Sequence, residues 1–246
     1  GGNLYAGLGN SNNDAEVWRW DGTSWTKIGG DSLNGGWTSN YDKVGALASY
    51  NGNLVAGIGG TTAGEGELWQ WNGSSWTKIG GDGLGGSWDS SIRQVEALIQ
   101  YDNKLIVGLG YATGDADIWE LDGSTWTQIG GDTAGGVTVN NSWTAGTYER
   151  ARTLAVFNGE LYAGLGSGTG DGEVWKFSEG AWAKVGGNSF NSSWANNIEE
   201  VEAFSPYRGK LYAGTGNSAN ADATIWSYGD SGYLESNASS FDTNWH

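Results

Sequence analysis

The chain contains no cysteine and no methionine, one proline, one histidine and only 12 basic residues in 246. Without cysteine there is no disulfide, no thiolate metal site and no cysteine nucleophile. The single histidine, His246, stands at the terminus, so a Ser-His-Asp set has no place elsewhere. No stretch approaches the 18 apolar residues of a membrane-spanning helix, and no basic region followed by an apolar one opens the chain. Nor does any segment keep a 3.6-residue amphipathic period over ten positions, so helix is expected to be negligible. Twelve Lys and Arg face 28 Asp and Glu, a net charge of −16. Such a surface repels phosphate backbones, which excludes nucleic acid and anionic membranes as main partners. Cations, neutral sugars and basic proteins remain. The Gly-, Asn-, Ser- and Thr-rich composition points to an extracellular or cell-surface setting.

What the chain has in abundance is glycine, 45 residues, and tryptophan, 16. Both are periodic. Trp37, Trp88, Trp143, Trp194 and Trp245 follow one another at 51, 55, 51 and 51 residues, and Trp18, Trp69, Trp119, Trp175 and Trp226 form a second series. A third is a G-[LIT]-G element at Gly7, Gly57, Gly108, Gly164 and Gly214. Three markers sharing one period describe a single domain, residues 1–246, written as five units of about 50 residues; such periods mean a solenoid or a propeller.

The second unit is the clearest. Val44–Tyr50 is a short apolar run, Asn51-Gly52 a hairpin turn, and Leu54–Gly59 a second run. Glu67–Trp71 follows, then a turn at Asn72-Gly73, then Ser75–Gly80. These are four strands of an up-and-down meander, a to d. Meanders apolar on both faces are stable only when stacked, and stacking around an axis hides the sheet edges. The expected fold is therefore all-β: a five-bladed β-propeller of four-stranded antiparallel blades, with an open solenoid as the alternative.

A b strand ending in a glycine motif, a c strand ending in an aromatic plus Asp-Gly, and a d strand opening with Trp resemble the kelch and galactose-oxidase-like propeller repeat. The chain carries G-[LIT]-G where kelch repeats carry a Gly-Gly pair. Its repeat number is similar to that of the five-bladed tachylectin-type lectins. The resemblance implies a ring with strand a innermost. It carries over no functional residue by position.

The first unit begins at strand b. Between each marker Trp and the next G-[LIT]-G lie 20, 20, 21 and 20 positions, while closure from Trp245 to Gly7 offers only 8. The first blade thus lacks its innermost strand within this chain, either because the chain is part of a longer protein or because a neighbouring segment adds the strand and allows self-assembly. Residues 1–10 and 236–246 are expected to meet in one blade.

Three sets of residues are candidates for chemistry. The first is an acidic pair before strand c in four units: Asp14 and Glu16, Glu65 and Glu67, Asp115 and Asp117, Asp171 and Glu173, with Asp222 alone in the fifth. Carboxylates two apart on an extended chain face one way, so each pair is a candidate calcium site; the other reading is a turn cap held by local hydrogen bonds. No other cofactor is indicated. The second is Trp37, Trp88, Trp143, Trp194 and Trp245, in Gly/Ser/Asn-rich loops, read either as rings that stack on a ligand's sugars or as plugs between units. The third is Glu96, Arg152 and Glu202, with Gly45 in the same place, read as channel residues: paired carboxylates suit glycoside hydrolysis, and an Arg between them suits closure of a channel. Asn72, Asn140, Asn191 and Asn237 lie in glycosylation sequons. The leading functional expectation is a non-enzymatic recognition domain for a glycan or protein ligand. A fibre or stalk subunit and a glycosidase are the alternatives.

Overall fold

The structure is a computed structural model. It describes residues 2–131, 136–143, 148–168, 170–187, 190, 193–194, 198–216, 223–229 and 234–236. Trp245, Asp222, Asn191 and Asn237 lie outside the described residues, as does nearly all of the C-terminal segment expected to meet the N-terminus.

The chain is all-β. Unit 1 holds β1 (Leu4–Leu8), β2 (Glu16–Trp20) and β3 (Trp25–Gly29). Unit 2 holds β4 (Lys43–Tyr50), β5 (Asn53–Gly59), β6 (Glu67–Trp71) and β7 (Trp76–Gly80). Unit 3 has β8 (Gln94–Tyr101), β9 (Lys104–Gly110), β10 (Ile118–Asp122) and β11 (Thr125–Gly130). Unit 4 has β12 (Arg150–Phe157), β13 (Glu160–Gly166), β14 (Glu173–Ser178) and β15 (Ala181–Gly186). Unit 5 has β16 (Glu200–Tyr207), β17 (Lys210–Gly216), β18 (Thr224–Tyr228) and β19 (Leu234–Ser236). Two short 3-10 turns, Leu33–Gly35 and Leu84–Gly86, follow β3 and β7.

Within each unit consecutive strands pair antiparallel. Units 2 to 5 are joined by single bridges, Gly59 with Gln94, Gly110 with Arg150 and Gly166 with Glu200, so their 16 strands form one continuous series while unit 1 is a separate three-stranded sheet. The a strands β4, β8, β12 and β16 pack side by side in that order, and β1 lies beside β4. Among the described residues no strand of unit 5 pairs with unit 1, and the series is open.

Apolar clusters form between units rather than inside them. Alternation along β6 sends Trp69 and Trp71 toward Val17, Ile28 and Trp37 of unit 1, and Leu68 toward Leu105, Val107 and Trp126 of unit 3. Each unit therefore depends on its neighbours for its core.

Two bulges recur. In strand d the register against strand c slips by one residue, leaving Ile28, Ile79, Ile129 and Val185 out of the ladder. A bulged residue's backbone is free for other partners. The first three carbonyls accept the indole N–H of Trp76, Trp126 and Trp182 in the following unit, at 2.8, 3.0 and 2.6 Å. The bulge thus creates the acceptor of a clasp between units. In strand a the slip leaves out Gly45, Glu96, Arg152 and Glu202.

Candidate functional site

The acidic pairs are engaged within the protein. Glu16, Glu67 and Glu173 accept the indole N–H of Trp18, Trp69 and Trp175 at 2.7, 2.8 and 2.8 Å. Each also pairs with a lysine of strand d: Lys27 and Lys78 at 2.5 Å, and Lys184. Lys27 and Lys78 reach on to Asp31 and Asp82 at 2.6 Å. The outer acid caps the preceding loop, Glu65 accepting from the Thr62 N–H at 2.9 Å and Asp115 from Ala112 at 3.0 Å. Burial pushes Asp115 and Asp171 above the usual carboxylate range, which weakens their claim to a cation. Asp14 enters the same loop through its backbone, donating to the Ser11 carbonyl at 3.0 Å. In unit 3, Asp117 and Gln128 stand where units 1, 2 and 4 have Glu and Lys, and the Trp119 indole N–H has no hydrogen-bond partner. Among the described residues no group of three or more His, Cys, Asp or Glu is placed to hold a metal.

Of the two readings of the loop tryptophans, ligand stacking is corrected and the plug between units holds for the four that are described. Trp37, Trp88, Trp143 and Trp194 are all buried, at 1 to 3% exposure. Their N–H groups donate to Ala15, Gly66, Ala116 and Gly172 carbonyls of their own unit. Their rings meet Trp69, Trp119, Trp175 and Trp226 of the next unit in edge-to-face contacts of 5.4 to 6.3 Å. A sugar has no access to them. The loop context suggested solvent, but the loop folds back and seats the ring between units.

The strand a bulge aims Glu96, Arg152 and Glu202 at one another. Arg152 donates to Glu96 at 2.8 Å and to Glu202 at 3.3 Å, while Lys43 donates to Glu96 at 3.2 Å. The Glu96 side chain is almost wholly buried and that of Glu202 is 45% exposed. Both carboxylates are thus bound by one guanidinium, a neutralising bridge across adjacent a strands. Glu200, two residues before Glu202, joins it 3.6 Å from Arg152. Its burial and the Glu202 carboxylate beside it push its pKa up to about 7, against the pull of Arg152 and Arg150.

A further set gathers at the end of the a strands where the units are bridged. Tyr111 and Ser167 occupy the place that is Gly60 in unit 2, and they hold φ of +142° and +146°. Non-glycine residues in that region carry strain of about 1–3 kcal/mol, which concentrates at functional sites. Their backbones are fixed across units, Tyr111 N–H on the Glu149 carbonyl at 2.8 Å and Ser167 N–H on Glu199 at 3.0 Å. Arg93 and Arg150 both lie over the Tyr111 ring, 5.8 and 5.6 Å from its centre, and the Ser167 hydroxyl donates to Glu149 at 2.5 Å. Arg150 Nε and Gln94 Oε1 are buried there without hydrogen-bond partners. Glu149, Arg150, Ser167, Glu200, Glu202 and Ala223 line a cleft of 430 Å³. None of these residues repeats in all units, and that departure from the period was the signal for them in the sequence.

No protein-family model matches the chain, and no curated protein does. Solved structures do. The extracellular domain of a protein described as a hybrid two-component system from B. thetaiotaomicron aligns at TM-score 0.56 and 13% identity over 94% of this chain. A computationally designed protein, Ika8, aligns at 0.51 and 15% over 92%, and a Bacteroides thetaiotaomicron protein of unknown function at 0.51 and 11% over 93%. This chain spans 27%, 55% and 53% of their lengths, respectively. At these identities the likeness is one of fold alone.

Proposed function

We propose that the five units close into a five-bladed β-propeller that serves, extracellularly or at a cell surface, as a non-enzymatic recognition domain. The ligand is a glycan, bound at the pole formed by Tyr111, Arg150, Ser167 and Glu200. One observation carries this reading: the Glu–Lys pairs and loop-Trp N–H groups that recur are engaged in ion pairs, caps and hydrogen bonds inside the protein, while Tyr111, Arg150, Ser167 and Glu200, which do not recur in all units, gather beside one cleft. In a pseudo-symmetric scaffold, what recurs serves the scaffold and what breaks the symmetry is free to serve a ligand. The cleft is lined by Arg150, the Ser167 hydroxyl and the carboxyl groups of Glu149, Glu200 and Glu202, a mixture of donors and acceptors that suits hydroxyl groups, which donate and accept. Hydrolysis is the weaker reading, because Arg152 holds both Glu96 and Glu202 in charge-assisted hydrogen bonds and leaves neither positioned as a free acid or nucleophile.

A glycan array tests it. Binding by the native protein that disappears in Arg150→Ala and Tyr111→Gly, with unfolding transitions unchanged, is the expected result. A blank array from folded protein removes the glycan reading, and binding indifferent to both substitutions removes the pole.

A further inference from the structure

We propose that a cleft between units 2 and 3 binds a hydroxylated primary amine of the amino-sugar kind, whose ammonium takes the place of a lysine that unit 3 lacks and whose hydroxyl accepts the indole N–H of Trp119. The site goes beyond the pole, with which it shares no lining residue.

The site begins as an exception among the c strands. Trp18, Trp69 and Trp175 donate their indole N–H to Glu16, Glu67 and Glu173, two residues earlier, and Trp226 donates in the same way to the Thr224 hydroxyl at 2.9 Å. Of the five, only Trp119 buries its N–H without an acceptor. Asp117 is one methylene shorter than its Glu counterparts, and its carboxylate lies instead against Gly131, where an added Cβ would come within 2.0 Å of Oδ1. Buried polar groups in native folds are satisfied, so an orphaned donor beside a cavity calls for a partner from outside the chain.

The cation that completes this arrangement elsewhere is missing as well. In units 1, 2 and 4 one carboxylate bridges the indole to a lysine, its second oxygen 2.5 Å from Lys27 or Lys78 and paired likewise with Lys184. In unit 3, Gln128 stands in the lysine's place and turns its amide to the Gly130 carbonyl at 3.3 Å. Both side chains are shorter than their counterparts. Beside them lies a cavity of 360 Å³, at the lower end of the range for small-ligand sites.

The lining sets the chemistry of the occupant. Three of the ten lining residues are acidic, Asp89, Asp115 and Asp117, and none is basic. Arg93 stands 3.9 Å from Asp115 and offsets one of the three charges. A bare cation does not answer the case, because it cannot accept from Trp119, and among the described residues no group of three His, Cys, Asp or Glu is placed to hold a metal. An ammonium and a hydroxyl on adjacent carbons supply both missing functions, the first donating to carboxylate and the second accepting from the indole. Trp119 and Ile92 give the cavity an apolar wall, while Asp89 and Ser91 are exposed and open it to solvent.

The probe is D-glucosamine at mildly acid pH, where its amine is protonated, with D-glucose and N-acetyl-D-glucosamine as neutral counterparts. The readout is the indole proton–nitrogen resonance of Trp119, assigned by its loss in Trp119→Phe. Glucosamine should shift that resonance saturably, and the two neutral sugars should bind at least about tenfold more weakly, as loss of one charge-assisted contact implies. Asp117→Glu combined with Gln128→Lys installs the residues of units 1, 2 and 4 and should abolish the response without lowering the urea midpoint. Gln128→Lys alone should weaken it in the same direction. No shift of the Trp119 resonance at about tenfold above a millimolar Kd, equal binding of glucose, or an undiminished response in the double variant would each overturn the proposal. Because the readout sits at Trp119, these outcomes are independent of any binding at the pole.

Discussion

Trp25 and Trp76 hold the same place in units 1 and 2 but live in different surroundings, so replacing each by Phe separates the clasp from the residue. Trp76 is 4% exposed, donates to the Ile28 carbonyl at 2.8 Å and stands edge-on to Trp37 at 5.2 Å. Phe keeps an aromatic ring there but leaves the bulge carbonyl buried without a donor, which costs about 1–3 kcal/mol. The smaller ring loses roughly 1 kcal/mol more of apolar burial. The expected destabilisation is about 2–4 kcal/mol, against a total stability of about 5–15 kcal/mol for a domain. With an m-value of about 3 kcal/mol/M the urea midpoint should fall by about 1 M. Trp25 is 44% exposed and makes only a tilted contact with Trp20 at 5.7 Å, so Trp25→Phe should stay within about 0.5 kcal/mol of the native chain. Urea unfolding followed by far-UV circular dichroism measures both. Equal costs at the two positions would refute the reasoning, since Trp25 would then be clasped as Trp76 is, although among the described residues the β18–β19 pairing has no register slip to supply the acceptor carbonyl.

Other outcomes follow from the same geometry. The folded state favours protonated Glu200, so its contribution is complete below the ordinary value of 4.5 and lost as pH rises through about 7. Stability should therefore fall by up to about 3 kcal/mol across that window relative to Glu200→Gln, measured by urea titrations at pH 4.5 and 8. Lys78→Met should cost about 3 kcal/mol, because the Glu67 side chain it serves is only 7% exposed, while Lys27→Met, serving a Glu16 that is 26% exposed, should cost under about 1 kcal/mol. Tyr111→Gly relieves the strained φ and should leave stability within about 1 kcal/mol of native while ligand binding at the pole is lost. Millimolar calcium or EDTA should leave the melting temperature unchanged, since Glu16, Glu67 and Glu173 already hold Lys and Trp partners.

The strands were legible because glycine and Asn-Gly turns punctuate them: Glu67–Trp71 is read correctly to the residue, and the run from Val44 to Tyr50 gains only Lys43. The bulges were not. A one-residue slip depends on the partner strand, and nothing in Trp-Thr-Lys-Ile-Gly alone marks Ile79 as the residue left out. Hence the acceptor half of the clasp stayed hidden while its donor, the Trp at the start of the d strand in units 1 to 4, was visible. The set Glu96, Arg152 and Glu202 could be aligned by period, and the bulge that brings them together is what turned three separate residues into one ion-pair network. The loop tryptophans left two readings open because sequence separation conceals proximity: Trp88 reaches the carbonyl of Gly66, 22 residues earlier. Tyr111 and Ser167 depart from the period in the sequence, but only the backbone reveals that they hold positive φ.

The joint between units is head-to-tail, with donor and acceptor on opposite faces of one and the same module. Duplicating such a module duplicates a working joint, so an array can lengthen by copying without any new contact having to arise. How many copies it holds is left to the angle each joint imposes, because a head-to-tail contact ends only when the last module meets the first or when something else covers the two unmatched halves. In this chain those halves are the indole of Trp25 at one end and the outer face of β18 at the other, where Ile225 lies open to solvent.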